Sequence, residues 1–332
     1  MKKMVRLKDI ADALNVSITT VSKALNGHPD ISEARRKEIL EYAERFNYVP
    51  NQVARSFRQQ RTRIVGIILS DNSNPYNARI IRGIEETLSS KGYYTIIMNN
   101  QEDPEKEMKL VSELLGLNVA GVLLTPAAGN RKSCELLRKF NIPYVLVNRY
   151  INEKEDTYVV VDDRKAAYLG TKHLSSFCYD KVFFLNFLSS VSSSKNRLKG
   201  YKDALKEANI EMDESWVIPE CKNQLDGYKA MLKILEKNKP PFSVLCYSDY
   251  IAIGAICALQ ERLIRIPEDV AVMGTDDIDI LSFVKPRLTT VGVPKLRLGI
   301  KCAELLIDLI KKKECKERRI VMKPELIIRE TS

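Results

Sequence analysis

The chain has 332 residues, 45% of them hydrophobic, and a formal net charge of +10. That length implies two or three domains, and the apolar content supplies a sizeable core, which excludes a disordered chain. Residues 1–63 hold thirteen Lys or Arg against seven Asp or Glu, so a basic end sits on a nearly balanced body and points to a polyanionic partner for that end alone.

In chain order, LKDIADALNVSITTVSKALN, from Leu7 to Asn26, reads as two short helices with a tight turn between them. Ile10, Ala11 and Leu14 share one face of the first helix, and Val21 and Leu25 share one face of the second. Asn15 suits the left-handed end of the first helix, and Ser17 suits the cap of the next. Ile18, Thr19 and Lys23 then project outward, and such a unit docks its second helix in the DNA major groove. A third helix is expected over 32–46, with Ser32 as its cap and Glu33 in its first turn. Ile39, Ala43 and Phe46 would complete a mini-domain core with Ile10, Leu14, Val21 and Leu25. Pro50 ends that pattern. The following NQVARSFRQQRTR (51–63) carries four arginines and three glutamines against three apolar side chains, too little apolar surface to fold alone. It is either a solvated linker or a segment ordered by DNA.

From Ile64 the texture changes. IVGIIL (64–69), YTIIM (94–98), VAGVLL (119–124) and PYVLV (143–147) are short apolar runs, each followed by a turn and an amphipathic helical stretch. VVV (159–161), KVFFL (181–185), FSVLC (242–246) and VAVMG (270–274) resume the pattern. Continuous rather than alternating runs imply strands buried on both faces, hence parallel sheets covered by helices. Two groups of about four such units make two doubly wound lobes rather than one very wide sheet. The ligand site of such a fold lies at the carboxyl ends of its strands, here between the lobes.

With these elements in place, the chain resembles the LacI/GalR family of bacterial transcription regulators over nearly its whole length. The landmarks are LKDIADALNVS with TVSKALNG at 7–27, YVPNQVAR at 48–55, NPY at 74–76, RLKGYKDAL at 197–205 and SDYIAIGA at 248–255. IPEDVAVMGTDD and PRLTTV follow between 266 and 291. The resemblance implies an α/β protein with an N-terminal helix-turn-helix head (1–47) and a hinge helix (48–62). A core over 63–332 follows, made of two doubly wound parallel-sheet lobes like a periplasmic binding protein. Lobe 1 is expected over about 63–161 plus 290–322, and lobe 2 over about 162–289 plus the C-terminal end. It further implies a homodimer on a pseudo-palindromic double-stranded DNA operator, most simply a repressor, with a small carbohydrate effector in the interlobe cleft.

Carried over residue by residue, Ile18, Thr19 and Lys23 fall on base-reading positions, while Thr20 and Ser22 fall where the family contacts phosphate or caps; Ser17, the cap of this helix, is expected among the DNA-binding residues. Lys23 can donate to guanine, and Ile18 can cover a thymine methyl; alternatively Lys23 touches only phosphate. Asn51, Val53, Ala54, Arg55 and Phe57 fall on the minor-groove hinge. Phe57 stands where the family carries a wedging leucine, and it either unstacks the central base step or packs on the core. Arg6 stands where a capping Thr is usual, a loss of about 1 kcal/mol. Lys23 replaces the commoner Arg and lacks its bidentate fork. The cleft positions are Tyr76, Asn148, Arg197, Asp249 and Asp276, a set suited to gripping vicinal hydroxyls. Asp249 is equally readable as the N-cap of the helix that follows it. Lys295 either borders the cleft, which would favour an anionic effector such as a sugar phosphate, or lies on the surface. SSVSSSK (189–195) reads as a mobile loop at the cleft edge, and Trp216 belongs either near the cleft or in the core.

Seven cysteines without a CxxC, and only two histidines, exclude a zinc finger and argue against a disulfide framework. There is no dinucleotide fingerprint, no P-loop and no metal-ligand spacing, and neither His28 nor His173 has the company of a catalytic triad. No catalytic residue, cofactor or metal is therefore expected. The start MKKM runs directly into the helical pattern without a signal core, and no apolar stretch approaches the ~20 residues that cross a bilayer. These features predict a cytoplasmic protein with no membrane partner and weigh against a transport-type sugar-binding protein, the main alternative along with a regulator governed by a protein corepressor. Without a heptad tail after the strand-like 326–328, a dimer is favoured over a tetramer.

Overall fold

The computed structural model describes residues 5–48, 62–177, 179–283, 285–315 and 317–332, which belong to two compact units divided between residues 60 and 61. The first unit contains α1 (Leu7–Ala13), α2 (Ile18–Leu25) and α3 (Glu33–Arg45). Each helix ends the same way. Asn15, Gly27 and Asn47 take φ of 49°, 69° and 48°. The next N–H, on Val16, His28 and Tyr48, then returns to the carbonyls of Ala11, Lys23 and Ala43 at 2.9, 3.0 and 2.8 Å. This six-to-one closure satisfies a carbonyl that the helix leaves open. Ser17 Oγ accepts the Thr20 N–H at 3.0 Å, as its capping role requires. At α1 the Arg6 side chain has no acceptor, but Asp9 reaches back and accepts the Arg6 N–H at 2.7 Å, one arm of a capping box. Ser32 holds the cap position of α3 without a side-chain hydrogen bond to the helix.

Ile10, Ala11, Val21, Ala24, Ile39 and Ala43 form the head's core, with Leu14 and Leu25 packed against it. Phe46 does not join them, contrary to the sequence pattern. It lies one residue past the last turn of α3, is 44% exposed, and stacks on Tyr42 with centroids 4.5 Å apart. Because the chain reverses at Asn47, Tyr48 packs on the core in its place.

The second unit holds two six-stranded sheets. In the first lobe β1 (Ile64–Leu69), β2 (Tyr94–Asn99), β3 (Gly121–Leu124), β4 (Tyr144–Val147), β5 (Tyr158–Val161) and β11 (Arg319–Met322) lie in the order β11-β5-β4-β3-β1-β2. In the second, β6 (Val182–Leu185), β7 (Val217–Ile218), β8 (Phe242–Cys246), β9 (Val270–Asp276), β10 (Thr289–Gly292) and β12 (Glu325–Ile327) lie in the order β12-β10-β9-β8-β6-β7. Every pairing is parallel except β10 with β12. Helices α4 (Pro75–Ser89), α5 (Pro104–Gly116), α6 (Lys132–Lys139) and α11 (Lys295–Ile310) cover the first sheet. Helices α7 (Asp163–Ser175), α8 (Ser192–Glu207), α9 (Gln224–Lys237) and α10 (Asp249–Glu261) cover the second. Among the described residues no helix is long and apolar enough to cross a membrane.

Three expectations shift. The return to the first lobe does not fall at residue 290: Thr289–Gly292 pairs with Met273–Asp276 and stays in the second sheet, and the crossover follows it. β2 is an edge strand, so Tyr94 is 58% and Ile97 39% exposed instead of buried on both faces. The run 189–195 is only partly a loop, since Ser192 opens α8. Trp216 packs against Phe183 in the second lobe's core, with ring centroids 6.3 Å apart.

The helices within each lobe pair closely because glycines let their backbones touch. An added Cβ would stand 1.8 Å from the Gln224 carbonyl oxygen at Gly254, and 1.9 Å from that of Arg164 at Gly200. On α4 and α11, Gly83 and Gly299 would meet the carbonyls of Leu296 and Ile80 at 2.3 and 2.1 Å. These contacts are with backbone, which cannot swing away. Gly254→Ala should therefore destabilise the core by roughly 1–3 kcal/mol as overpacking. Gly116→Ala, at a helical position with nothing within 4 Å, should be neutral or stabilising. Urea midpoints of the two variants test the contrast.

Candidate functional site

On the head, α2 presents Ile18 and Thr19 to solvent, while Val21 and Ala24 are buried behind them. Ser17 and Thr20 share a hydrogen bond between hydroxyls at 2.8 Å, and Ser22 lends its carbonyl to Asn26 Nδ2 at 2.6 Å. Lys23 Nζ donates to Asp30 Oδ2 at 3.0 Å, and His28 Nδ1 lies 3.2 Å from the same oxygen. The Lys23 hydrogen bond, with His28 nearby, holds the Asp30 carboxyl below its usual range. Six of the expected DNA contacts, Ser17, Ile18, Thr19, Thr20, Ser22 and Lys23, thus sit on α2 and its cap. The hinge positions Asn51, Val53, Ala54, Arg55 and Phe57 lie outside the described residues.

In the core, parallel strands deliver their following loops to one place, a cavity of about 560 Å³ between the lobes. Of the five positions that the resemblance implies, Tyr76, Asn148, Arg197 and Asp276 line it. Tyr76 Oη donates to Asn148 Oδ1 at 2.9 Å, and burial drives the Tyr76 phenol well above its ordinary pKa, so it stays a neutral donor. Arg197, 5% exposed, donates through Nε to Asp163 Oδ1 at 2.7 Å and through Nη1 to the Tyr247 carbonyl. Its guanidinium lies 4.0 Å from the centroid of the Tyr247 ring. Burial works against that charge, but Asp163, Tyr247 and Asp276 outweigh it and keep Arg197 protonated. The Tyr247 ring stacks with Phe187 at 5.1 Å, and Arg149 lies 5.6 Å from the Phe187 centroid, so the wall holds an aromatic stack covered by two guanidinium groups.

Asp249 is a correction. It is fully buried, accepting the Thr290 hydroxyl at 2.6 Å and the Ile278 N–H at 2.9 Å, and it does not line the cavity. Burial pushes its carboxyl up to about 6. It is not the helix cap either: Ser248 Oγ takes that role, accepting the Ile251 N–H at 3.3 Å. Asp276 is the carboxylate at the end of β9 that does face the cavity. It is 6% exposed, its carboxylate accepts no hydrogen bond among the described residues, and burial, with Asp249 adding, raises it well above the ordinary range. Lys295 is neither a surface group nor an anion partner. It is 8% exposed and donates to the carbonyls of Asp276 and Asp277, pinning a turn whose φ angles are 126° and 55°.

Several further groups line the cavity that no sequence signal marks. Arg149, 7% exposed, grips Glu102 through two hydrogen bonds of 2.8 and 3.0 Å. Thr125 Oγ1 is buried beneath the wall, with no hydrogen-bond partner among the described residues. Gln101, Glu102 and Asn148 all take positive φ (56°, 60° and 66°), a strained conformation that recurs where backbones are bent to aim side chains. Asp163 was hidden by its neighbour: Asp162 caps α7 by accepting the Lys165 N–H at 2.9 Å, and Asp163 points away into the cavity.

Two sequence families match the chain. Periplasmic binding proteins and sugar binding domain of LacI family covers residues 62–330, and bacterial regulatory proteins, lacI family, covers residues 6–51. The HTH-type transcriptional repressor PurR of Haemophilus influenzae is 34% identical over 334 residues, spanning 99% of this chain and 98% of its own. The transcriptional regulator CelR in complex with cellobiose is 27% identical, with a TM-score of 0.76 over 99% of this chain and 100% of that one. The lac repressor dimer bound to operator and the anti-inducer ONPF shares the fold, with a TM-score of 0.87 at 22% identity over 99% of each chain.

The buried pair yields a prediction of its own. Arg197→Met strands the Asp163 carboxylate and should cost roughly 3–5 kcal/mol of core stability, whereas the double variant Arg197→Met/Asp163→Leu should recover most of it. Equal losses in the single and double variants in denaturant melts would refute the pairing.

Proposed function

This chain belongs to the LacI family of DNA-binding transcriptional regulators, which are not enzymes, and on that footing we propose that it is a homodimeric repressor controlled by a carbohydrate. The observation that carries the effector reading is the open Asp276 carboxylate, which shares one cavity with the Tyr76–Asn148 pair of the opposite lobe. A polyol offers donors to the carboxylate and both donors and acceptors to the amide and phenol opposite, so it meets both walls at once. The Phe187–Tyr247 stack, covered by Arg149 and Arg197, gives a sugar ring an apolar edge to lie against, and the amides of Asn74, Asn148 and Gln224 discriminate hydroxyl positions. The relative named a repressor and the relative complexed with cellobiose support the two halves of this reading.

The head (1–47), the hinge (48–62) and the core (63–332) divide the work. Two heads read the half-sites of a pseudo-palindromic operator, with Ile18, Thr19 and Lys23 at base edges and Ser17, Thr20 and Ser22 at phosphates. Lys23 leaves Asp30 to do so. Asn51, Val53, Ala54, Arg55 and Phe57 enter the central minor groove, where Phe57 unstacks a base step. Ligand that bridges the lobes shifts their closure, and the shift biases the DNA-competent arrangement of the dimer.

Calorimetry of the full chain against mono- and disaccharides tests the effector class. Asp276→Asn should weaken any sugar that binds by about tenfold or more, the worth of a hydrogen bond to a charged group. Sugar hydroxyls favour the ionised carboxylate, so binding lowers a pKa that burial had raised and releases a proton. Affinity should thus rise with pH through that raised pKa, and Asp276→Asn should flatten the profile; absence of proton release would count against the role of Asp276. On the DNA side, Phe57→Ala should weaken a fragment selected from genomic DNA far more than random DNA. Equal losses on both would remove the wedge.

A further inference from the structure

Beyond the main cavity lies a second one of about 410 Å³, also between the lobes, and its lining has a different chemistry. Ser192, Lys195, Asn196 and Lys199 all line it, and their spacing of three, four and seven residues places them along a single face of α8. Arg131 lines it from the first lobe. Arg131, Lys195 and Lys199 make no ion pair and no side-chain hydrogen bond among the described residues, and Glu153 is the only acidic residue in the lining. By contrast Arg149, which lines both cavities and so stands between them, is held by Glu102. Arg131, Lys195 and Lys199 are exposed, so solvent screens them from one another, but all three border one concave surface where a single anion can pair with each.

The same face grips the opposite lobe. Ser192 Oγ accepts the Tyr150 N–H at 3.0 Å, and Asn196 Nδ2 donates to Tyr150 Oη at 2.9 Å. The first turn of α8 adds polar groups, since its cap residue Val191 has no acceptor side chain for the leading N–H groups. We propose that this cavity is a second ligand site, for a small phosphate-bearing anion, distinct from the carbohydrate cavity. The anion spans Arg131 of one lobe and Lys195 and Lys199 of the other, at the place where Tyr150 already joins them. It therefore acts as a clamp on lobe closure. By linkage it changes the affinity of the main cavity, and the main ligand changes its affinity equally.

The probe is inorganic pyrophosphate, titrated calorimetrically into the full-length protein at low ionic strength. Saturable binding should appear, and both Lys195→Gln/Lys199→Gln and Arg131→Gln should weaken it by about tenfold or more, as for lost charge-assisted hydrogen bonds. Asp276→Asn should leave it unchanged, which keeps this site separate from the fate of the carbohydrate reading. Pyrophosphate that binds as well to the lysine double variant as to the parent would place the anion elsewhere, on the basic head for instance, and overturn the proposal. So would the absence of saturable binding, or its loss in Asp276→Asn. Melting curves without ligand show whether the exposed-cation variants remain folded.

Discussion

The guanidinium of Arg197, sunk between the lobes on the second lobe's side, sets the character of the core. It is anchored from α8, bonded to Asp163 at the start of α7, and seated on Tyr247 after β8. Two charges at this depth cost several kcal/mol each to desolvate, and they return it only when geometry and extra hydrogen bonds are good. Here both conditions hold, so the wall of the cavity is charged, rigid and already organised. A ligand meets it without waiting for side chains to order, which is where much of the cost of binding otherwise lies.

The rest of the cavity follows from strand direction. Parallel sheets send every strand's carboxyl end toward the same side, so loops far apart in sequence converge: Asn148 after β4, Tyr247 after β8 and Asp276 at the end of β9. The turns that deliver them are bent. Gln101, Glu102, Asn148, Asp276 and Asp277 all hold positive φ, and the buried Lys295 ammonium keeps the last two in place through their carbonyls. Strain of this kind persists only where the surroundings over-determine it, and here the surroundings are the lining of the site.

The charges divide the space between the lobes. In the main cavity Arg197 and Arg149 are neutralised by Asp163 and Glu102, leaving Asp276 as the buried group still in need of donors. Past Arg149 the balance reverses: Arg131, Lys195 and Lys199 face a single acidic residue, Glu153, and make no ion pair among the described residues. One partition thus separates a surface suited to hydroxyl donors from one suited to an anion.

Much of this was legible in the sequence for a plain reason: helix period, strand runs and end signals are local. Asn15 and Ser17 mark a helix boundary through their own chemistry, and IVGIIL is a strand wherever a two-sided hydrophobic environment is on offer. Order and direction of the units then imply two parallel lobes and a cleft between them. The choice among neighbouring polar groups was not local. Asp162 and Asp163 are adjacent, yet one caps a helix and the other meets Arg197, thirty-four positions away. Ser248 caps while Asp249 turns inward to Thr290, and Phe46 loses the head's core to Tyr48 because the chain reverses between them. Sequence alone therefore determined which segments become helices and strands and where a ligand would enter. Tertiary structure decided which carboxylate faces that ligand, because a side chain's direction depends on pairing and backbone angles set by residues distant along the chain.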